Sequence, residues 1–139
     1  MTILSKNTYG LLFTLDGYGA DLQICADTSI LYKVLHELPP LIQMRPLGEP
    51  HIVSIEETGI AGLSGFTFIF ESHISIHTYS ERGFVTADIY SCKDFDIEAA
   101  KEYLLSAFKI TASEIHVYAR GLRFNDPEFQ VQLRPPKRV

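Results

Sequence analysis

Apolar residues recur along this chain with two different periods, and the switches between them mark strands and helices. Residues 9–15 are a short run of strand formers closed by the turn pair Asp16-Gly17, which leaves Tyr18 and Gly19 in a loop. From residue 27 the spacing becomes helical. Ile30, Leu31, Val34, Leu35 and Leu38 share a face, Asp27 or Thr28 offers the N-cap, and Pro39-Pro40 stops the run. Residues 41–44 and 51–55 read as strands around a Pro/Gly-containing turn. A loop at 56–62 follows, and Gly62-Leu63-Ser64-Gly65 leads into the next strand.

In residues 66–70 phenylalanines alternate with Thr67 and Ile69, the period of a half-buried strand, with Ser72 at its end. Across 73–79 the polar face carries His73, Ser75, His77 and Tyr79, opposite Ile74 and Ile76. Residues 79–83 have the length of a hairpin loop, and 84–92 return as a strand with Asp88, Tyr90 and Cys92 on one face. Ile97, Ala100, Tyr103, Leu104 and Ala107 define a second amphipathic helix capped by Asp94 or Asp96. Residues 114–118 form a last strand, and Pro135-Pro136 suggests a frayed end. This order predicts an α+β fold: an antiparallel β-sheet with helices packed on one face, in a single domain of residues 1–139.

Charge and composition narrow the function. A net charge of −5 argues against nucleic acid or an anionic membrane as partner. The basic residues Arg120, Arg123, Arg134, Lys137 and Arg138 gather near the end, where a solvated tail is the simplest reading. No apolar run approaches the roughly 20 residues of a membrane helix, and residues 1–7 show no secretory h-region. Cys25 and Cys92 make neither a disulfide framework nor a zinc spacing, so the expected compartment is a reducing cytoplasm.

Reactive side chains concentrate in Phe70-Glu71-Ser72-His73-Ile74-Ser75-Ile76-His77, on what otherwise reads as core strand. A serine beside histidines offers nucleophile and base, Cys92 a nucleophile or an acid, and Asp88 or Glu81 a carboxylate to orient a histidine. The Gly-x-Ser-x-Gly elbow is absent, which weakens a conventional hydrolase. The plainer alternative is a packed hairpin whose polar groups are merely satisfied.

The joint pattern is more specific. Glu71-Ser72-His73-Ile74-Ser75-Ile76-His77-Thr78, followed by Glu81-Arg82-Gly83-Phe84, Asp88 and Cys92, resembles the processing region of prokaryotic S-adenosylmethionine decarboxylase proenzymes. The resemblance is close over residues 62–92 and looser over 9–21 and 94–108. It implies an α/β sandwich protomer equivalent to half of the longer eukaryotic enzyme. It also implies self-cleavage between Glu71 and Ser72 into a β chain 1–71 and an α chain 72–139, residue 72 becoming a pyruvoyl group. That group would form a Schiff base with the substrate amine, and no metal or pyridoxal phosphate is expected. The product is the aminopropyl donor of spermidine synthesis.

Residue roles follow from the same resemblance. His77 serves proton abstraction in processing with Ser64 assisting, and Cys92 is the proton donor after decarboxylation. Glu81 binds the ribose hydroxyls, and Tyr18 and Ile69 are the other substrate-binding positions. An aromatic that usually precedes the Ser64 position by six residues is here Thr58, leaving Tyr18 to supply an aromatic face. The resemblance implies a homodimer or larger, with Ser72 and Cys92 of one protomer meeting Ser64, His77 and Glu81 of another. Two rivals stand beside it: the same chemistry on arginine or ornithine, and an unprocessed paralogue that pairs with an active partner.

Overall fold

A computed structural model describes residues 4–130. The expected tail residues Arg134, Lys137 and Arg138 and the Pro135-Pro136 end lie outside them. The elements are β1 (Gly10–Tyr18), α1 (Leu22–Cys25), α2 (Thr28–Leu41), β2 (Arg45–Pro46), β3 (His51–Ile55), β4 (Gly62–Phe70), β5 (Ser72–Tyr79), β6 (Phe84–Ser91), α3 (Ile97–Phe108) and β7 (Ala112–Arg120). The strands form one sheet in the order β2-β4-β5-β6-β1-β7, with β3 paired to β4. Every pairing is antiparallel.

Alternation sorts each strand between two faces. Phe13 and Leu15 of β1, Leu63 and Ile69 of β4, Ile74 and Ile76 of β5, and Val85 and Ile89 of β6 turn inward. They meet Leu31, Val34, Leu35 and Leu38 of α2 and Ala100, Leu104 and Phe108 of α3 in one core. Each Leu, Ile or Phe buried there contributes about 1.5–3 kcal/mol. Asp27 caps α2 by accepting from the Ser29 and Ile30 amides, and Asp96 caps α3 through the Ala99 amide. Among the described residues, both long helices lie on this one side of the sheet. This is the expected antiparallel sheet covered on one side, and no helix among the described residues is long and apolar enough to cross a membrane.

Several expected boundaries move. Asp16-Gly17 is not a turn, and Tyr18 is not in a loop: β1 runs through all three, with Asp16 and Gly17 paired to both β6 and β7 and Tyr18 to β7. A Cβ at Gly17 would sit 2.6 Å from Ile110 Cδ1, so the glycine there admits close packing. Pro39 and Pro40 lie inside the last turn of α2. That turn survives because the chain wraps back over it, with the Ile42 and Met44 amides donating to the Leu38 and Pro39 carbonyls. Residues 41–44 are therefore no strand: Leu41 ends the helix, Gln43 takes a left-handed φ of 58°, and the edge strand is only Arg45–Pro46. Residues 62–65 belong to β4 itself, the strand expected over 84–92 ends at Ser91, and the last strand is longer than 114–118. The short α1, capped by Asp21, carried no periodic signal.

Candidate active site

A polar row crosses the face of the sheet opposite the long helices. Register places Ser64 opposite His77, His77 opposite Thr86, Thr86 opposite Asp16, and Asp16 opposite Glu114. The Ser64 hydroxyl and His77 Nδ1 are hydrogen-bonded at 2.8 Å. Thr86 Oγ1 donates to Asp16 Oδ1 at 2.8 Å, and the Tyr18 hydroxyl donates to Glu114 Oε1 at 2.8 Å. Ser64 is thus a strand residue aimed at a base. Its expected environment, the approach to a strand, was wrong, but its partnership with His77 is direct.

The next row contains Ser75 and Asp88, opposite each other, with Thr14 beyond. Burial pushes the Asp88 carboxyl above the ordinary aspartate range; the charges of His73 and His77 oppose that shift and Asp16 adds to it. The row after that pairs His73 with Tyr90, whose rings meet edge to face at 5.7 Å. Asp88 stands opposite Ser75 and Glu81 bonds elsewhere, so neither takes the orienting role that a hydrolase triad would give it.

Ser72 opens β5 directly after the Phe70-Glu71 turn, opposite Ile69 on one side and Ser91 on the other. Its φ is +132°, a region that L-residues with a Cβ rarely adopt. Cys92 follows Ser91, so the thiol-bearing residue lies beside the Ser72 strand end. Ser91 fixes that corner: its hydroxyl donates to the Lys93 carbonyl at 2.8 Å and accepts from the Lys93 amide at 3.1 Å. On the other flank, the Tyr9 hydroxyl donates to Glu71 Oε2 at 3.3 Å.

The site residues therefore form two groups rather than one. Ser72 and His77 are five residues apart on one strand, which separates them by about 16 Å at the usual rise. Glu71, Ser72 and Cys92 gather at one end of the hairpin. Ser64 and His77 stand further along, and Glu81 and Tyr18 lie at the far end. Glu81 accepts from the Gly59 amide at 2.7 Å through Oε2, holding the loop that carries the exposed Thr58. Tyr18 packs on Phe84 with ring centroids 5.4 Å apart. The Ile69 side chain is fully buried in the core, so a substrate could meet only its backbone. No group of three or more His, Cys, Asp or Glu among the described residues is arranged to hold a metal ion.

Sequence reading missed Tyr9, Asp16, Thr86 and Glu114 as neighbours of this chemistry. Asp16 read as part of a turn and Thr86 as one polar residue on a strand, and their pairing depends on β1 being inserted beside β6. Tyr9 meets Glu71 across 62 residues of chain, which no local pattern shows.

Comparison with known proteins identifies the family and the fold. The family model for S-adenosylmethionine decarboxylase matches residues 12–121. The S-adenosylmethionine decarboxylase proenzyme of Pyrobaculum islandicum is 36% identical over 108 residues, covering 77% of this chain and 80% of that one. The corresponding proenzyme of Pyrococcus furiosus is 28% identical over 124 residues, covering 88% and 86%. The crystal structure of the adenosylmethionine decarboxylase from Aquifex aeolicus superposes with a TM-score of 0.71 at 25% identity, over 83% of this chain and 92% of that one. With the shared fold spanning the sheet that carries Ser64, Ser72 and His77, the chain belongs to the S-adenosylmethionine decarboxylase family.

Proposed function

We propose that this chain, a single domain over residues 1–139, is a proenzyme that cuts itself between Glu71 and Ser72 and then decarboxylates S-adenosylmethionine. The observation that carries the cleavage is Ser72 itself: it follows a tight turn, with φ at +132° and Cys92 beside the facing strand residue. Cleavage and loss of the residue 72 nitrogen abolish that φ torsion, so forming the pyruvoyl group would relieve the strain held there.

In the first step Ser72 Oγ adds to the Glu71 carbonyl carbon. The C–N bond breaks, the hydroxyl proton ends on the freed nitrogen, and an ester joins residues 71 and 72. His77 then removes the Ser72 α-proton while the Cβ–Oγ bond breaks and the new main-chain α-carboxylate of Glu71 departs, leaving a dehydroalanine at residue 72. Water replaces its nitrogen by oxygen, releasing ammonia. The pyruvoyl group so formed supplies an electron sink for the carbanion left when CO2 departs. Cys92 returns a proton to that carbon. Glu81 keeps Oε1 for the ribose hydroxyls while Oε2 holds the Gly59 amide.

Within one chain, His77 is too far from Ser72 to take that proton. The reading therefore requires a second copy, Ser72 and Cys92 of one protomer meeting Ser64, His77 and Glu81 of the other. The sheet face opposite the long helices supports it, since it leaves Phe66, Phe68, Phe70 and Tyr118 39–55% exposed. The enzyme belongs in a reducing cytoplasm, and its product serves as aminopropyl donor for spermidine. The named relatives favour S-adenosylmethionine over arginine or ornithine. CO2 release from carboxyl-labelled S-adenosylmethionine, arginine and ornithine, assayed side by side, tests this. Release from the first alone is expected, and release from either amino acid instead would overturn the substrate.

A further inference from the structure

The family match ends at residue 121 and begins at residue 12, yet the two segments outside it meet each other beside the scissile bond. The Tyr9 amide donates to the Gly121 carbonyl at 3.0 Å, and the Asn125 amide to the Asn7 carbonyl at 3.1 Å. Asn125 Nδ2 also donates to the Lys6 carbonyl at 2.7 Å. A Cβ at Gly121 would come within 2.6 Å of Tyr9 Cβ, so glycine lets the two strands of chain approach. The Tyr9 ring is gripped edge to face by Phe124 at 5.0 Å and by Tyr90 at 5.9 Å. From this seat the Tyr9 hydroxyl reaches Glu71 Oε2 at 3.3 Å.

We propose that Tyr9, seated by Phe124, is a positioning residue for self-cleavage: its hydroxyl holds the Glu71 carboxylate and thereby fixes the acyl half of the Glu71–Ser72 bond. The inference rests on the self-cleavage reading above. Attack by Ser72 Oγ places negative charge on the Glu71 carbonyl oxygen, and a free Glu71 carboxylate would repel that charge. A phenol donating to the carboxylate draws it aside and removes one rotational freedom from the attacked residue. Burial, and then the charge of Glu71, raise the Tyr9 hydroxyl above its ordinary value, which keeps it a donor at neutral pH. Tyr9 touches no reacting atom, so its influence falls on ester formation and not on the later loss of the α-proton.

Cell-free synthesis of full-length wild type, Tyr9→Phe and Phe124→Ala, with cleavage followed by intact mass, tests the proposal. Each variant is run with and without hydroxylamine, which splits an ester but not an amide. Both variants are expected to cleave about fivefold more slowly through lost positioning of the attacked residue. The melting temperature of Tyr9→Phe should be unchanged, and hydroxylamine should fail to restore its rate. An unchanged rate in Tyr9→Phe overturns the proposal. So does a rate restored by hydroxylamine, which would place the defect after the ester, or a slowing matched by a lower melting temperature. Wild type that never cleaves would instead overturn the self-cleavage reading, and this inference with it.

Discussion

His77 and Ser64 stand opposite each other on neighbouring strands with Nδ1 and Oγ 2.8 Å apart, while Ser72, the residue they are proposed to serve, starts the same strand as His77 five residues earlier. At about 3.3 Å per residue that distance cannot be closed by a side chain. Under the proposed self-cleavage, a second chain would complete the site, and the consequence is measurable.

Ser72→Ala and His77→Ala should each be inactive alone. In a mixed dimer, one of the two composite sites joins an intact Ser72 to an intact His77, and the other site carries both lesions. Co-expression should therefore restore about a quarter of wild-type activity if subunits mix at random. Restoration measured by labelled CO2 release checks this; a mixture as dead as its parents would mean that each chain completes its own site.

Cys25 and Cys92 should separate in reactivity. Cys25 is fully buried, and burial, with the charge of Asp21 adding, pushes its thiol up to about 11. Cys92 is half-buried at the strand end. Brief alkylation at pH 8, read by peptide mass, should label Cys92 and leave Cys25 free, since the thiolate is the reacting form. Equal labelling would contradict the burial of Cys25.

Asp88 carries a pH signature. Its pKa is raised above 3.8 in the folded chain, mainly by burial. A carboxyl raised in this way favours the fold fully while it is protonated, below 3.8, and loses that contribution as pH rises through the folded value. Asp88→Asn should therefore melt higher than wild type at pH 7.5, the gap closing as pH falls toward 4. A melting curve with the opposite trend would show that Asp88 is stabilised as a charge.

The sequence showed the chemistry more fully than it showed its geometry. The spacing of Ser64, Ser72, His77, Glu81 and Cys92 was readable along the chain, and so were the alternating phenylalanines of β4 and both long helices. Long-range pairing was not. Asp16-Gly17 has the composition of a turn, but β1 lies between two strands and uses Gly17 to admit Ile110. Pro39-Pro40 has the composition of a stop, yet the helix keeps its last turn because later amides bond back to Leu38 and Pro39. The resemblance made Ile69 a substrate-binding position, but register turned its side chain into the core. Tyr9 became visible as a neighbour of Glu71 only once the sheet had brought the two together.

Self-cleavage is the claim on which the rest depends, and intact mass under denaturing conditions, wild type beside Ser72→Ala, tests it most directly. Wild type should give two fragments of similar size from the 15.7 kDa chain. The one beginning at residue 72 should be lighter than its sequence by the change from amine to ketone, and Ser72→Ala should remain whole. A single 15.7 kDa species in both would contradict the cleavage and leave an uncut paralogue in its place.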